Sequence, residues 1–386
     1  MTHCLAPAPH IAAANRAPRS AQASHVLAFF MPVLMGMAGV LAGCTQPPQT
    51  FYAAAASESL AQVYGNDPSG AVAARTVAPD PDAMSPSTFT SRPLPGAQGA
   101  MLQALQRNGR TPPLRYRVIV IPGSGCAGMG PIAERYFAGL LHAQVLVLHK
   151  PGVDPQTRTA SADCGPDFVQ QDRLSAWVAH ARVALQADAL QRERDGAPAL
   201  PQLLVGISEG AELLTALAPE VPGLAGLVVL ASSGLDPQEA GALQAQRLGA
   251  QADWDALGRF QRGRMPDSTV LQGRSLGYWR DLWNWPLALP LVQSPWPLLQ
   301  VWGGDDALVP QVAYERFAVL ASARTEPYCA RRIDGADHGL QRRHASEGTE
   351  DGVQQVWAWT EQWARAPTAG LCASLLGAQG VIKPAQ

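Results

Sequence analysis

The sequence predicts an α/β protein in which a mainly parallel sheet is covered by helices on both faces. Apolar, β-branched runs alternate with segments of helical periodicity, and strands this apolar are typical of a parallel sheet buried on both faces. A Gly-Ile-Ser-Glu-Gly motif at residues 206–210 lies between one such run and a helix-like segment. The chain beyond residue 90 is long enough to form one large domain.

The first predicted strands cover residues 116–121 and 144–148. The loop between them, at residues 122–128, spaces its glycines as Gly-x-Gly-x-x-Gly, which is typical of dinucleotide binding when the next strand ends in an acid. That strand ends in His149 and Lys150 instead. We therefore expect no nucleotide cofactor.

A helix at residues 172–194 and a short apolar strand at residues 203–205 precede the Gly-x-Ser-x-Gly motif. A helix is expected again at residues 211–217, followed by a strand at 224–230. Between a strand and a helix this motif is typical of a nucleophile elbow, a sharp turn that presents the Ser208 hydroxyl at the end of the sheet. The flanking glycines avoid collisions that a side chain would cause in so tight a turn.

A long segment, residues 234–297, separates the strand at 224–230 from the next apolar strand at 298–302. We expect it to form a small helical cap whose aromatic side chains line an apolar pocket or form the core of the cap itself. These aromatic residues are Trp254, Phe260, Tyr278, Trp279, Trp283, Trp285 and Trp296. A last strand at residues 331–333 and an amphipathic helix that contains Val353 and Trp363 close the domain.

Two loops that follow predicted strands supply an acid and a histidine. The loop at residues 303–310 reads Gly-Gly-Asp-Asp-Ala-Leu-Val-Pro, and the loop at residues 335–339 reads Gly-Ala-Asp-His-Gly. Together with the elbow, the order Ser, Asp, His resembles the α/β-hydrolase family over about residues 110–366. The resemblance implies that Ser208 is a nucleophile, His338 its general base and an aspartate the group that orients the histidine.

The spacing of the family's acid loop selects Asp306, because it lies three residues after Gly303 and three before Val309. Asp305 is then a turn residue. Asp236 is a further alternative, since some members of the family place the acid after the preceding strand.

The choice of His338 rests on its position in a glycine-rich loop after the last strand. The other candidate histidines are His142, His149, His180 and His344.

The resemblance also implies an oxyanion hole made of two backbone N–H groups. One is that of Glu209, the residue after the nucleophile, and the other comes from the glycine loop after the first strand. Pro122 and Gly123 stand where the family often has His-Gly, so Ser124 is the expected donor and Gly125 the alternative. Glu209 and Glu212 could bind a substrate amine, but we expect them at an exposed helix start, where acids favour the helix dipole.

The amino terminus resembles a bacterial export signal. Residues 1–24 are basic and contain no acid, residues 26–42 are apolar, and the segment ends in Leu-Ala-Gly-Cys. This ending resembles the lipobox of lipoproteins, which implies that residues 1–43 are a signal peptide and that Cys44 is lipidated. An uncleaved membrane anchor and a plain secretory cleavage are the alternatives.

The resemblance to lipoproteins implies a location in the cell envelope, and Thr45 after the lipidated cysteine favours the outer membrane, with the chain facing the periplasm. Residues 44–90 are rich in Ala, Pro and Ser and predict a flexible tether, although residues 71–77 could form a first strand. The hydrolase domain is expected at residues 91–366 and a tail at 367–386.

Four of the six cysteines remain once the signal segment and the lipobox are set aside. An even number in an oxidising compartment predicts disulfides, with free buried thiols as the alternative. The favoured pairs are Cys126 with Cys164 and Cys329 with Cys372. No Cys or His spacing suggests a metal site.

Function follows from the resemblance to hydrolases. It implies hydrolysis of a carboxylic ester through an acyl-enzyme, with a serine peptidase or aminopeptidase of the same fold as the alternative, and with small molecules or peptides as substrates. A non-catalytic envelope lipoprotein on the same scaffold is the third possibility. A net charge of −2 gives no indication of nucleic acid as a partner.

Overall fold

The computed structural model describes residues 88–160, 163–344 and 348–372. Cys44, the predicted signal peptide and all but the last three residues of the predicted tether lie outside these ranges. No helix within the described part of the chain has both the length and the apolar character that crossing a membrane requires.

An eight-stranded sheet forms the centre of the domain, in the order β1-β2-β4-β3-β5-β6-β9-β10. The strands of the described chain are β1 Thr90–Pro95, β2 Met101–Arg107, β3 Tyr116–Ile121, β4 Ala143–Leu148, β5 Gln202–Ile207, β6 Leu224–Leu230, β7 Val270–Leu271, β8 Arg274–Ser275, β9 Leu298–Gly303, β10 Tyr328–Ile333, β11 Gln341–His344 and β12 Gly348–Asp351. Strand β2 is antiparallel to both β1 and β4, and the other pairs in the sheet are parallel.

Helices cover both faces of this sheet. They are α1 Gly130–Tyr136, α2 Pro166–Gln171, α3 Leu174–Arg194, α4 Leu214–Leu217, α5 Pro237–Arg247, α6 Gln251–Arg262, α7 Leu276–Trp283, α8 Ala288–Gln293, α9 Gln311–Ala321 and α10 Val353–Trp363, with short 3-10 turns at Ala97–Gly99, Ser208–Leu213, Ala218–Glu220 and Pro367–Ala369.

Strand alternation produces two separate apolar cores. In β3, Ile119 and Ile121 pack into one core together with Trp177 of α3, while Val118 and Val120 pack into the other. The second core also holds side chains of α1 and α10. Since both faces of the inner strands are buried, these strands can be apolar at every position. The strand order, the two helical layers and the antiparallel second strand define the α/β-hydrolase fold, as predicted.

The predicted strands at residues 116–121 and 224–230 have the observed bounds. Strands β1 and β2 were not predicted, because β1 is a largely exposed edge strand and β2 beside it mixes polar and apolar residues, so neither has the apolar run of the inner strands. The helix predicted at 211–217 is also different. The chain forms a 3-10 turn at Ser208–Leu213 and only four residues of α-helix after it, and Pro219 cannot donate a helical hydrogen bond.

Residues 234–297, the cap, contain helices α5 to α8 and the β7–β8 hairpin, inserted between β6 and β9. Two disulfides join loops of the domain in the predicted pairs. Cys126–Cys164 connects the loop after β3 with the loop after β4, and Cys329–Cys372 connects β10 with the chain beyond α10. The last described residues therefore stay attached to the sheet.

Candidate active site

The turn at Ser208 has the backbone of a nucleophile elbow. Ser208 has a φ of 51°, a left-handed conformation that costs a non-glycine residue about 1 kcal/mol or more. Close packing holds the turn in place, since a Cβ at Gly206 would collide with the backbone of Ala211 and a Cβ at Gly210 with that of Ile121. The turn presents the Ser208 side chain beyond the carboxyl end of β5.

Ser208, His338 and Asp306 form one hydrogen-bonded chain. His338 Nε2 lies 3.1 Å from Ser208 Oγ, and His338 Nδ1 lies 2.9 Å from Asp306 Oδ2. The three residues follow β5, β9 and β10, whose parallel carboxyl ends lie on the same edge of the sheet. Strand pairing thus brings together side chains that are 130 and 32 residues apart.

Four hydrogen bonds hold the carboxylate of Asp306. The N–H groups of Leu308 and Val309 donate to Oδ1, and the Tyr314 hydroxyl and His338 donate to Oδ2. Burial alone would raise the pKa of Asp306, but the charge and hydrogen bond of His338, together with the donors of Val309 and Tyr314, hold that pKa below its ordinary value. Asp306 is therefore ionised at neutral pH.

The contact between Asp306 and His338 lowers the pKa of Asp306 and raises that of His338. Burial alone would lower the pKa of His338, but the Asp306 charge and hydrogen bond raise it above its ordinary value of 6.5. An ionised acceptor at Nδ1 favours the Nδ1–H tautomer, which leaves Nε2 free to accept the proton of Ser208.

The alternative acids have other roles. Asp305 is exposed. Asp236 accepts hydrogen bonds from the N–H groups of Leu287 and Ala288 at 2.6 and 2.8 Å, and so holds the start of α8 in the cap.

Three of the other candidate histidines lie elsewhere. His142 bonds to Glu361, and His149 lies between the Met129 N–H and the Gln103 carbonyl. The buried His180 Nδ1 has no hydrogen-bond partner among the residues that the structure describes. Burial lowers the pKa of His149 to about 4, so this ring is neutral. The side chain of His344 lies outside the described part of the chain.

Both predicted oxyanion donors lie beside Ser208. Ser124 and Glu209 line the same cavity as Ser208, and a Cβ at Gly123 would lie 3.4 Å from Ser208 Cβ. The glycine loop after β3 therefore passes directly against the nucleophile. Gly125, the alternative donor, has a φ of 89° that favours glycine.

The cavity around Ser208 and His338, the serine cavity, has a volume of about 70 Å³, which is room for about five water molecules. Its cap wall includes Tyr278, Trp279 and Leu282 of α7. Other cap aromatics form the core of the cap instead, since Trp254 and Trp283 stack on each other with ring centroids 4.5 Å apart. Some of the cap aromatics, such as Trp279, therefore line a pocket, and others, such as Trp254, form the core of the cap.

Four buried charged side chains form a network beside Ser208. Lys150 Nζ lies 3.0 Å from Glu209 Oε1 and 2.8 Å from Asp172 Oδ1, and Asp172 also pairs with Arg274 of the cap. The ammonium group of Lys150 additionally lies 4.7 Å from the ring centre of Trp177. The expectation that Glu209 stands at an exposed helix start is wrong, because the 3-10 turn directs its side chain inwards to Lys150.

Sequence reasoning missed the parts of the site that no motif contains. Tyr314, one turn into α9, is a helix residue without a recognisable pattern. Lys150, Asp172 and Arg274 come from three distant segments and meet only in the fold. Lys150, at the end of an apolar strand, was the one sequence feature that could have indicated a buried positive charge.

No group of three or more His, Cys, Asp or Glu side chains suited to a metal ion occurs within residues 88–160, 163–344 and 348–372. The fold and these residues place the chain among proteins with an α/β-hydrolase fold, with a serine, a histidine and an aspartate at the carboxyl edge of the sheet.

No protein-family model matches the chain, and no curated protein matches it. Several solved structures are similar to it. A puromycin-hydrolyzing peptidase of Mycobacterium tuberculosis is 15% identical, with 75% of this chain and 42% of that chain covered and a TM-score of 0.49. Est1E from Butyrivibrio proteoclasticus is 16% identical, with 72% and 99% covered and a TM-score of 0.48.

The esterase domain of a Rhodothermus marinus protein is 18% identical, with 72% of this chain and 98% of that chain covered and a TM-score of 0.45. The chain spans less than half the length of the mycobacterial peptidase. Sequence identities this low give no information on the activity of this chain.

Proposed function

We propose that the chain is a serine hydrolase that cleaves carboxylic esters through an acyl-enzyme. The observation that carries the proposal is the position of His338, whose ring nitrogens lie 3.1 Å from Ser208 Oγ and 2.9 Å from Asp306 Oδ2. These are the distances at which a base can accept a proton while a carboxylate orients it.

In this reaction Ser208 Oγ attacks the ester carbonyl carbon while its proton passes to His338 Nε2. The tetrahedral intermediate collapses as His338 returns the proton to the leaving alkoxide, which departs as an alcohol. Water then attacks the acyl-enzyme by the same route, giving the acid and restoring Ser208. Asp306 stays ionised and stabilises the imidazolium in each half-reaction.

The developing oxyanion is assigned to the N–H groups of Ser124 and Glu209. The Lys150 ion pair supports this assignment for Glu209, because an anchored side chain also fixes the backbone N–H next to the nucleophile. A donor of this kind is typically worth about 3 kcal/mol in the transition state.

The test is labelling of the full chain, purified in a mild detergent, with a fluorophosphonate probe. We expect wild type to be labelled and Ser208→Ala to be unlabelled while it keeps its circular dichroism spectrum. Ser322→Ala, at the far end of α9, is the matched control and should label like wild type. Absence of labelling in folded wild type would contradict the proposal and favour a non-catalytic binding protein.

A peptide or amide bond is the second candidate for the scissile bond. Two carboxylates, Glu209 and Glu212, line the cavity of the nucleophile, and such groups could bind the free amine of a peptide. Comparison of kcat/KM for an ester and an amide with the same acyl group decides between the two.

We further propose that the chain is a lipoprotein of the cell envelope, anchored through Cys44. The lipobox-like sequence supports this, and two disulfides fit an oxidising compartment. Metabolic labelling with an alkyne fatty acid should mark wild type and not Cys44→Ser. Equal labelling of both proteins would contradict the proposal.

A further inference from the structure

Glu209 and Glu212 stand on the same side of the turn that carries the nucleophile. The segment Ser208–Leu213 is a 3-10 turn, in which residues three apart are eclipsed. Both side chains line the serine cavity with Ser208 and His338. The two carboxyl side chains therefore share one face of the turn.

Each of the two carboxylates has one oxygen without a partner. Oε2 of Glu209 and Oε2 of Glu212 are both buried, and within the described chain neither accepts a hydrogen bond. Glu209 as a whole is 8% exposed, and only its Oε1 is paired, with Lys150. A buried carboxylate oxygen without a donor costs free energy that a ligand with suitable donors would recover.

The charges around the pair are not balanced. Lys150 and Arg274 are neutralised by Asp172 and Glu209, so the carboxyl of Glu212 has no cation of its own within the described chain. Burial, reinforced by the charges of Glu209 and Asp236, raises the pKa of Glu212 well above its ordinary value. The resting cavity thus holds one carboxyl group more than its cations can compensate.

We propose that Glu209 and Glu212 bind a protonated primary or secondary amine of the substrate, a few atoms from the scissile carbonyl. An ammonium group supplies several N–H donors and the positive charge that allows Glu212 to ionise, so its arrival would favour loss of the Glu212 proton. The inference deepens the proposed function and rests on it, because it names the substrate class of the same site: amino esters or amino amides with a small acyl group.

Other ligand chemistries fit this cavity less well. An anionic group that reached Arg274 would lie beside the Glu209 carboxylate, and like charges at short range are repulsive. A neutral hydroxyl has one donor for two acceptor oxygens and carries no charge that would favour ionisation of Glu212. The apolar walls formed by Leu282, Leu308 and Val309 suit a short aliphatic acyl group around the amine.

Three benzyl esters of nearly equal size test the proposal: benzyl alaninate, benzyl lactate and benzyl propanoate. They carry an ammonium group, a hydroxyl group or a hydrogen at the same carbon. For the full chain in mild detergent, at a pH where the amine is protonated, we expect kcat/KM for the alaninate to exceed that for the propanoate by about 30-fold, as hydrogen bonds to charged groups suggest. The lactate should lie near the propanoate.

Glu212→Gln keeps the size of the side chain and one acceptor oxygen, and removes its ability to become negatively charged. We expect it to lower the alaninate-to-propanoate ratio by about 10-fold or more. Glu239→Gln is the matched control, because it removes a carboxylate of the cap that pairs with Arg316 and does not line the serine cavity. Its ratio should equal that of wild type.

The ratio is used because changes in His338 protonation or in folding affect both esters equally. A wild-type ratio near one, or a high ratio that Glu212→Gln leaves unchanged, would overturn the inference, and a lactate preferred as strongly as the alaninate would replace the amine with a neutral donor. Calorimetric binding to Ser208→Ala needs no turnover. Tighter binding of the alaninate there would support the inference even if hydrolysis failed, and equal binding would refute it.

Discussion

Asp306 is the most constrained side chain of the candidate site. Its two carboxylate oxygens accept four hydrogen bonds, two from the backbone of its own loop and two from Tyr314 and His338. The loop therefore fixes the carboxylate, and the carboxylate fixes the histidine ring. Asp305, one residue earlier, is exposed and has no comparable position.

Asp306→Asn should lower kcat by about 10⁴-fold, because an amide cannot hold His338 in the Nδ1–H tautomer. Asp305→Asn should change it by about twofold at most, as expected for an exposed substitution. Initial rates with a short-chain 4-nitrophenyl ester give the ranking, and circular dichroism checks that both variants are folded. The opposite ranking would make Asp305 the orienting acid.

The pH dependence of kcat/KM should show an acid limb above pH 6.5. His338 must be neutral to accept the Ser208 proton, and Asp306 raises the pKa of His338 above 6.5, so activity appears as the pH rises through that higher pKa. In Asp306→Asn the residual limb should move to lower pH, because burial remains and the raising charge is gone. A limb that stays in place would mean that another group controls it.

At the scale of elements, the 3-10 turn at Ser208–Leu213 determines the positions of several side chains in the candidate site. It holds Ser208 in a left-handed conformation, aligns Glu209 with Glu212 and directs Glu209 towards Lys150. Close contact between the turn and strand β3 makes this possible, since Gly210 packs against the backbone of Ile121.

Gly210→Ala should destabilise the protein by about 1–3 kcal/mol, because its methyl group would overlap the Ile121 backbone, which cannot yield as a side chain would. Gly165→Ala is the control. Its φ is −61° and no atom lies within 4 Å of the added Cβ, so the only expected cost is that of alanine as the N-cap of α2, about 0.5 kcal/mol. Urea unfolding of both variants measures the difference, and an unaffected Gly210→Ala would show that β3 can move away.

The elements of this chain differ in how far the sequence determines them. Inner strands such as β3 and β6 are apolar apart from the buried Arg117, because both of their faces are buried, and their bounds could be predicted from these apolar runs. Ser208, Asp306 and His338 are recognisable because each occupies a glycine-rich turn with a fixed spacing from a strand. Strands β1 and β2 have neither signal.

The buried ion network could not be predicted for a different reason. The Lys150–Asp172 and Arg274–Asp172 pairs join residues 22 and 102 positions apart, and nothing in either segment specifies the other. Glu209 is buried because the turn is 3-10 and not α-helical. The two forms differ little in free energy, so packing decides between them.

At the scale of the whole molecule, one of the two disulfides lies close to the candidate site and the other lies farther from it. Cys126–Cys164 holds the loop that contains Ser124, whereas Cys329–Cys372 holds the chain after α10 against the edge of the sheet. They close loops of similar length, with sequence separations of 38 and 43 residues, so their effects on unfolded-chain entropy should be similar.

Replacing either pair of cysteines with serine should cost about 3–4 kcal/mol of stability, as loop closure of this length suggests. Only Cys126→Ser/Cys164→Ser should also lower kcat/KM, since it releases the loop beside the nucleophile. Thermal unfolding and ester kinetics on the two double variants separate the effects. Equal kinetics in both variants would show that the glycine loop is held without its disulfide.

The buried pair of Arg274 and Asp172 joins the cap to the sheet domain. The indole N–H of Trp285 in the cap also donates to the Glu212 carbonyl, and the Gln244 amide donates to the Ala307 carbonyl, so opening the cap would break several contacts at once. We therefore expect the cap to behave as a fixed rim and not as a lid. For the proposed esterase, substrate would then enter as single dissolved molecules, so turnover should saturate with the free ester and show no jump when droplets form.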